Sequence, residues 1–512
     1  MPVVQRFPSL GIMSAPRFET RSGHVEGARE GPLLVFRGVP FAAPPVGALR
    51  WEPPQREATW AGVRDARSAG PAAPQRGSIV MRMVGIESIA QDEDCLTLQI
   101  WTPALSGRRP VLVWLHGGAF TSGSGSLPLF DGSVLARRGD AVVVTVNYRL
   151  GALGFLAQAH ALEAGAIGAN FGLLDQIAAL AWVREHAERV GGDPDNVTVF
   201  GESAGAMSIG ALLGAPAARG LFRRAILQSG AAHNVSPLAS GLRIAELFRD
   251  AAGAPADALR ALAVDAVLEA QQRVVDQSWR HVDGLAFQPI ADGAVLPRAP
   301  LGAVAAGEAH GVELLAGTNL DEWRLFAVPD AKLRSMDEAG LVRRLVRVPP
   351  GPSADPEALA REAIAVYRDA RAGALPVDPP SLWLAMQADR VFRVPAIRLL
   401  ERQARHARVF AYLFDWASPA LGGLLGSCHG LELPFVFGTL DHARAADLVG
   451  RGEAAQRLAR DMQDAWLAFA RSGDPGWPAY DEAKRATRRF GAQPGLDFDP
   501  MGAERAFWDG RL

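Results

Sequence analysis

The sequence predicts an α/β fold with a mostly parallel central sheet, flanked by helices and carrying large helical insertions. Residues 110–115 and 141–146 form short apolar runs rich in β-branched side chains, typical of strands buried on both faces. Residues 197–200 and 225–227 repeat this pattern. Between these runs, residues 173–189 place apolar side chains at helical spacing and are followed by a pair of glycines. Strand and helix therefore alternate, which indicates an α/β protein.

The remaining elements are predicted from turn residues and periodicity. Residues 1–15 are expected to form a flexible N-terminal extension, and the turns that follow favour short strands and loops over the first hundred residues. Beyond residue 240 the pattern predicts helices over 241–275, 356–372, 380–406 and 453–472, with strands near 312–316 and 408–413. Residues 75–92 and 328–356 are expected to be loops or lids. No stretch has the composition of a linker, so residues 1–512 are predicted to form one domain.

Composition narrows the class of protein. Hydrophobic residues make up 49 % of the 512 residues and charged residues 21 %, which is typical of a chain that folds around a core. The net charge of −2 provides no basic field for nucleic acid, and no apolar run is long enough to span a membrane. The N-terminus lacks a signal-peptide pattern, and the only cysteines are Cys95 and Cys428. We therefore expect a cytoplasmic protein that binds neither nucleic acid nor a membrane.

A candidate nucleophile follows the third apolar run. Residues 201–205 (GESAG) match the pattern G-x-S-x-G, between the strand at 197–200 and a helix-like segment at 206–213. The glycines permit a turn too tight for side chains, and this turn lifts the Ser203 hydroxyl at the start of a helix. In this context the motif predicts a nucleophilic serine.

A serine nucleophile needs a base, and the sequence alone leaves that base open. His116 lies beside a glycine pair, but α/β-hydrolases follow the order serine, acid, histidine. That order leaves six candidates, namely His233, His281, His310, His406, His429 and His442. Local context favours His429, which lies in the small-residue loop 426–430 (GSCHG).

The acid and the oxyanion donors are predicted to follow strand ends. Asp321 and Glu322 both lie just after the strand predicted at 312–316, where α/β enzymes place their chemistry, and position does not choose between them. Residues 116–120 (HGGAF) follow another strand and are similar to an HGGG-type loop, whose backbone amides stabilise an oxyanion.

Other chemistries find no support in the sequence. It contains no H-E-x-x-H and no C-x-x-C motif, which argues against a metal enzyme. It also lacks the G-x-x-x-x-G-K-[ST] loop of nucleotide enzymes. We therefore predict no metal and no cofactor.

Seven ordered motifs together resemble one family, the type-B carboxylesterases, which include cholinesterases and bacterial para-nitrobenzyl esterases. The motifs are FRGVPFA (36–42), EDCLTL (93–98), HGGAF (116–120), NYRLG (147–151), GLLDQ (172–176), GESAGA (201–206) and the pair DP (474–475) and WP (477–478). The resemblance spans nearly the whole chain and is closest to the bacterial members, which also carry HGGAF. It implies the α/β-hydrolase fold.

The resemblance also implies a role for each matching residue. Ser203 is the nucleophile, Glu322 the acid and His429 the base, which leaves Asp321 as a neighbour. Oxyanion donors are implied at Gly118, Ala119 and Ala204, although Ala119 departs from the GGG pattern of many relatives. Supporting roles are implied for Glu202 and Ser229, and structural ion pairs for Arg50 with Glu93 and Arg149 with Asp175.

The resulting hypothesis is a serine hydrolase that cleaves carboxylic esters through an acyl-enzyme, with carbamates or amides as the alternative substrates. A non-catalytic binding protein is disfavoured by the intact Ser203, Glu322 and His429. Residues 65–93 contain no aromatic side chain, and residues 281–287 contain only Phe287 as a phenyl or indole ring. In the cholinesterases that the chain resembles, aromatic side chains in these two stretches bind a quaternary ammonium and narrow the acyl pocket. The resemblance therefore implies a wider acyl pocket here, with apolar acyl or aryl esters as small-molecule substrates. We also expect a monomer.

Overall fold

A computed structural model describes residues 14–77, 89–278, 280–282, 284–442 and 445–512. Its strands are β1 (Arg17–Thr20), β2 (Gly23–Glu26), β3 (Ala28–Glu30), β4 (Leu33–Pro40), β5 (Val63–Asp65), β6 (Thr97–Thr102), β7 (Arg109–Leu115), β8 (Val142–Val146), β9 (Gly192–Glu202), β10 (Arg224–Gln228), β11 (Ser236–Pro237), β12 (Ile290–Ala291), β13 (Glu313–Asn319), β14 (Val409–Phe414), β15 (Ala486–Phe490) and β16 (Gly495–Phe498). Within this part of the chain, one eleven-stranded sheet has the order β16-β15-β14-β13-β10-β9-β7-β8-β6-β4-β3.

Helices cover this sheet and form the insertions. They are α1 (Ser133–Gly139), α2 (Gly151–Phe155), α3 (Ala159–Glu163), α4 (Phe171–His186), α5 (Ala204–Leu212), α6 (Leu238–Ala252), α7 (Val264–Ser278), α8 (Pro300–Ala305), α9 (Arg324–Ala327), α10 (Glu338–Arg347), α11 (Pro356–Arg371), α12 (Pro379–Ala388), α13 (Val394–Gln403), α14 (Leu433–Phe437), α15 (Ala445–Val449), α16 (Glu453–Ser472) and α17 (Gly502–Phe507). A π-helical segment, Asp389–Arg393, joins α12 to α13. No helix in the described ranges is long and apolar enough to cross a bilayer.

The central strands are buried on both faces, as their composition predicts. Along β7, Val111, Val113 and Leu115 pack into one core, while Leu112 and Trp114 pack into the core on the opposite face. All five side chains are fully buried. The β-branched runs of the sequence therefore mark the middle of a sheet that helices cover on both sides.

Parallel pairing brings the chemistry-bearing loops to one edge of the sheet. Every neighbouring pair from β8 across to β15 is parallel, whereas β3, β4, β6 and β16 pair antiparallel. The segments that follow β7, β9, β13 and β14 therefore leave the sheet at the same edge. These segments contain the HGGAF loop, Ser203, Glu322 and His429.

Several elements differ from the sequence prediction. The expected loop 328–356 contains helix α10, because the Asp337 carboxylate caps it by accepting from the Gly340 amide at 2.7 Å, and its apolar face packs into a separate helical core. The helix predicted over 241–275 is two helices, α6 and α7, because Gly253 ends the first with a φ of 64°. Strands β15 and β16 were not predicted, since arginines interrupt the apolar pattern of β15.

Two expectations concern residues that are only partly described. Residues 1–13 of the expected N-terminal extension lie outside the described residues, and Ser14 and Ala15 are exposed. Residues 78–88 of the expected loop 75–92 also lie outside them.

The two ion pairs implied by the resemblance are present; Arg149–Asp175 is buried and Arg50–Glu93 is partly buried. Arg50 Nη2 lies 2.5 Å from Glu93 Oε2, and Arg149 Nη2 lies 2.7 Å from Asp175 Oδ1. A second guanidinium nitrogen also bonds in each pair, which makes both pairs bidentate. Breaking a buried pair leaves one charge uncompensated, so these four residues hold the architecture.

Candidate active site

Ser203 lies at the sharp turn between β9 and α5. Its φ of 53° and ψ of −124° fall outside the usual regions for a residue with a side chain. The Ser203 amide donates to the Gln228 carbonyl at 2.9 Å, which holds the turn against β10. A Cβ atom built on Gly205 would lie 1.9 Å from the Leu115 carbonyl oxygen, so only glycine fits there. The GESAG pentapeptide is therefore a strained strand-to-helix elbow, as its sequence predicts.

The HGGAF loop crosses directly over this elbow. A Cβ atom on Gly117 would lie 3.0 Å from the Cβ of Ser203. Gly118 and Ala119 have φ values of 119° and 52°, so the chain turns sharply there. Among the described residues, neither of their amides has a hydrogen-bond acceptor. Ala204 is the first residue of helix α5, and the first amides of a helix have no acceptor within it. The three predicted oxyanion donors thus lie at two backbone segments that meet beside Ser203.

His429 pairs with Glu322 in the interior. The Glu322 Oε2 atom lies 2.6 Å from His429 Nδ1, and Glu322 Oε1 accepts from the Asn319 amide at 2.8 Å. Glu322 is fully buried, so water does not screen the attraction between its carboxylate and the imidazole. On the opposite side of the ring, Glu202 Oε1 lies 3.0 Å from His429 Nε2 without the alignment of a hydrogen bond.

The two carboxylates control the proton affinity of the imidazole. Burial alone would lower the pKa of His429, but Glu202 and Glu322 outweigh burial and hold that pKa well above its ordinary value. The ring is therefore oriented by Glu322 through Nδ1 and stabilised by both carboxylates when it carries a proton.

Asp321, the alternative acid, makes different contacts. Its Oδ1 atom bonds to Arg324 Nε at 2.9 Å, and its Oδ2 atom accepts from the Ser427 amide at 3.0 Å. A Cβ atom on Gly426 would lie 2.3 Å from Asp321 Oδ2, so the loop before His429 approaches this carboxylate closely. Asp321 thus fastens the loop that carries His429, whereas Glu322 contacts the imidazole itself.

The other candidate bases do not contact Glu322 among the described residues. His116 is buried, its Nδ1 atom lies 2.8 Å from the Gly117 carbonyl oxygen, and its ring stacks on Tyr148. Burial lowers the pKa of His116 to about 4, and burial lowers the pKa of His233 to about 4 as well. No contact with Glu322 is made, among the described residues, by the remaining candidates His281, His310, His406 and His442.

Ser229, for which the resemblance implies a supporting role, is buried at the end of β10. Its φ is 51°, and its amide donates to the Gly317 carbonyl at 2.9 Å. Its hydroxyl has no hydrogen-bond partner among the described residues. Ser229 therefore lies next to Gln228, which holds the elbow, and it makes no recorded contact with His429.

Sequence reasoning missed a third carboxyl group beside the pair. Glu432 is fully buried and accepts from Gln228 Nε2 at 3.0 Å and from Asn319 Nδ2 at 2.7 Å. Burial, with the nearby charge of Glu202, raises the pKa of Glu432 to about 7. Its position three residues after His429 was the only sequence signal available.

Sequence reasoning also missed three aromatic side chains, Trp323, Phe326 and Phe392, which we call the aromatic wall. The rings of Phe326 and Phe392 have their centroids 5.1 Å and 4.7 Å from that of His429. Phe326 is 40 % exposed, so the wall faces an accessible space beside the imidazole. Trp323 and Phe326 follow Glu322 closely in sequence, but nothing in the sequence points to Phe392.

The site has the parts of a serine hydrolase and no metal-ligand arrangement. A strained serine, free backbone amides and a histidine–carboxylate pair suit attack on a carbonyl carbon. Within the described residues, no group of three or more His, Cys, Asp or Glu side chains is arranged to hold a metal ion.

Known proteins match this chain along nearly its whole length. The profile of the Carboxylesterase family matches residues 14–504. The chain is 37 % identical to a para-nitrobenzyl esterase of Bacillus subtilis, over 95 % of this chain and 97 % of the relative. It is 36 % identical to a phenmedipham hydrolase of Pseudarthrobacter oxydans, over 92 % and 94 % of the two chains. The crystal structure of a Geobacillus stearothermophilus carboxylesterase superposes with a TM-score of 0.84 at 39 % identity, covering 96 % of this chain and 99 % of that one.

Proposed function

This chain belongs to the carboxylesterase family and is a carboxylic ester hydrolase, and we propose that Ser203, His429 and Glu322 carry out its reaction. The observation that supports this assignment most directly is the 2.6 Å contact between Glu322 and His429, at the sheet edge where the strained Ser203 lies. The residues 1–512 are proposed to act as one domain without metal or cofactor.

The proposed reaction has two acyl-transfer steps. Ser203 Oγ attacks the ester carbonyl carbon while His429 Nε2 takes the hydroxyl proton. The tetrahedral intermediate then collapses, the C–O bond to the alcohol breaks, and His429 returns its proton to the departing alkoxide. In the second step water attacks the acyl-enzyme carbonyl, again losing a proton to His429, and the serine leaves with that proton as the acid is released.

The developing charges have partners in this geometry. The amides of Gly118, Ala119 and Ala204 are proposed to stabilise the oxyanion, since amides fixed before the reaction need no reorganisation. Glu322 orients the imidazole and stabilises the imidazolium form. Glu202 and Ser229 are proposed to play supporting roles, Glu202 through its charge beside Nε2.

A labelling experiment tests the proposed nucleophile. The wild-type enzyme is treated with an organophosphate, digested and mapped by mass spectrometry. We expect one phosphorylated peptide, with the label on Ser203, and parallel loss of ester hydrolysis. A label on any other residue, together with loss of activity, would contradict the assignment.

The pH dependence of the reaction gives a second test. Glu202→Gln removes one of the two charges that raise the pKa of His429, so that pKa falls and the neutral base persists to lower pH. The acidic limb of the kcat/KM profile should therefore move to lower pH. Asp321→Asn is the matched control, because Asp321 bonds to Arg324 and should leave this limb in place. An acidic limb that moves to higher pH in Glu202→Gln would contradict the role given to this carboxylate.

We further propose that the substrates are esters with apolar acyl or aryl groups. The aromatic wall beside His429 supports this, because it offers apolar surface next to the reacting atoms. Phe287, the only phenyl or indole side chain of the 281–287 stretch, is buried in the core.

The breadth of the acyl pocket is tested with p-nitrophenyl esters. Each methylene that the pocket buries should add about 0.8 kcal/mol of binding, so kcat/KM should rise from acetate to butyrate or hexanoate. Choline esters should be hydrolysed no faster than neutral esters of similar size, since residues 65–93 contain no aromatic side chain for a cation. A steep fall from acetate to butyrate, or a preference for acetylcholine over an uncharged isostere, would show that the pocket is narrow or cation-selective.

Carbamates and amides remain the alternative substrates, because the same acyl chemistry serves all three bonds. A rate comparison with matched ester, amide and carbamate substrates, including phenmedipham because a relative is named for it, decides between them.

We also propose a bacterial, cytoplasmic enzyme that acts as a monomer on small molecules. The state of Cys95 and Cys428, both buried and unpaired, fits a reducing compartment.

A further inference from the structure

The π-helical segment Asp389–Arg393 has an identifiable sequence cause. Pro395 lacks an N–H group, and its ring conflicts with the carbonyl of residue 391 in an ordinary α-helix. Widening the helix by one residue per turn relieves this conflict, and such π turns often occur at functional sites. Phe392 lies in the widened turn, 4.7 Å from the ring of His429, and stacks nearly parallel to Phe326 at 6.2 Å.

A buried ion pair fixes the same turn. Arg393 donates from Nε to Asp389 Oδ1 at 2.5 Å and from Nη2 to Asp389 Oδ2 at 2.7 Å. Both residues are buried, and this bidentate geometry holds two residues that flank Phe392 in one orientation. The Tyr367 hydroxyl, from helix α11, donates to Asp389 Oδ2 at 2.6 Å. The turn is thus tied to a neighbouring helix as well as to itself.

The C-terminal segment closes this network. Arg393 Nη1 donates to the Pro500 carbonyl at 3.1 Å, and Glu504 Oε2 lies 3.7 Å from Arg393 Nη2. Trp508 Nε1 donates to the Tyr367 hydroxyl at 2.7 Å. None of these groups is among the described contacts of His429, whereas Phe392 lies against the His429 ring.

We propose that Asp389 and Arg393 are positioning residues that hold Phe392 against His429 and thereby set the length of acyl group that the enzyme prefers. Phe392 belongs to the same buried core as Phe287, and the partly buried Leu285 packs against that core. Phe287 and Leu285 belong to the stretch expected to border the acyl group. Leu431, two residues after His429, belongs to the other core, and the partly buried Leu129 packs against that core. The inference rests on the proposed function, because it takes His429 as the base.

The test measures kcat and KM for p-nitrophenyl esters from acetate to hexanoate in Tyr367→Phe and Asp389→Asn. Freeing Phe392 opens space beside His429, so the hexanoate-to-acetate ratio of kcat/KM should rise by about tenfold, mainly through KM for the longer esters. Phe392→Leu should produce the same rise. Asp389→Asn in the Phe392→Leu background should add nothing further, because the two changes act through one side chain.

A matched variant separates positioning from stability. Glu313 forms a partly buried ion pair with Arg224 at the far end of β13 from the site, at 2.8 Å. Glu313→Gln should lower the Tm without changing the acyl-length ratio. If Asp389→Asn does not fold, the same measurement is made on Tyr367→Phe. This variant removes the hydroxyl that bonds to Asp389 and leaves every charge in place.

Three results would overturn the inference. The first is a hexanoate-to-acetate ratio in Tyr367→Phe equal to that in Glu313→Gln. The second is a further change of this ratio when Asp389→Asn is added to Phe392→Leu. The third is a change in kcat/KM seen only when the alcohol group is varied at constant acyl group. Wild-type labelling of Ser203 is measured alongside. Its failure would contradict the proposed mechanism, whereas normal labelling with an unchanged ratio contradicts only the role of Asp389 and Arg393.

Discussion

Ser203→Ala is expected to abolish acyl-enzyme formation and to lower turnover by about 10⁶, the typical loss when a triad nucleophile is removed. The reason is chemical, since the alanine methyl group has no atom that can attack the ester carbonyl. The fold should survive, because the Ser203 contact recorded with β10 comes from its backbone amide and not from its hydroxyl. Stopped-flow measurement of the burst of p-nitrophenol, together with a far-ultraviolet circular dichroism spectrum, checks both expectations.

The matched control is Ser208→Ala, on helix α5, which begins directly after Ser203. Ser208 is buried, and its hydroxyl accepts from Gln176 Nε2 at 3.0 Å, away from the reacting atoms. Its loss should lower the Tm while leaving the burst intact. Residual turnover in Ser203→Ala within tenfold of wild type would mean that another group forms the acyl-enzyme.

Glu322→Gln should lower kcat by about 10⁴, the loss seen when the carboxylate of such a triad becomes an amide. The imidazolium that forms in each step loses its counter-charge, and the pKa of His429 falls because one of the two carboxylates that raise it is gone. The glutamine oxygen can still accept from the Asn319 amide, so the local fold should remain. Steady-state kinetics with a titration of active sites separates lost turnover from lost enzyme.

Asp321→Asn, one residue earlier, is the control for this variant. It weakens the contact with Arg324, but the asparagine oxygen can still accept from the Ser427 amide. We therefore expect turnover within about tenfold of wild type, since the charge lost does not contact the imidazole. A larger loss in Asp321→Asn than in Glu322→Gln would reverse the assignment of the acid.

The sequence predicts the sheet and the elbow well because their physical signals are local. Strands buried on both faces need continuous β-branched runs, and β7 and β8 have them. The elbow at Ser203 needs small residues at fixed offsets, so a pentapeptide identifies it. Position alone did not choose between Asp321 and Glu322, because both follow β13 and only packing decides which carboxylate meets His429.

The features that sequence reasoning missed depend on tertiary contacts. Phe392 reaches His429, and Glu432 reaches Asn319 and Gln228, only because the helical insertion and the loop after β14 fold back over the sheet edge. The predicted loop over 328–356 is wrong where helix α10 lies, although the cap at Asp337 and the apolar spacing of α10 are both present in the sequence. The apolar face of α10 is buried only by packing into the separate helical core, which contains Leu341, Tyr367 and Trp508.

The parallel order of the strands also determines when enzymatic activity appears during folding. Glu322 and His429 are 107 residues apart in the chain, and Ser203 lies on a third segment. These segments meet only after several long-range strand pairings have closed, which are the slow contacts of a folding chain. During synthesis, no competent site exists before the segment with His429 has left the ribosome. The return of activity in a refolding experiment therefore marks the completion of the sheet rather than its nucleation.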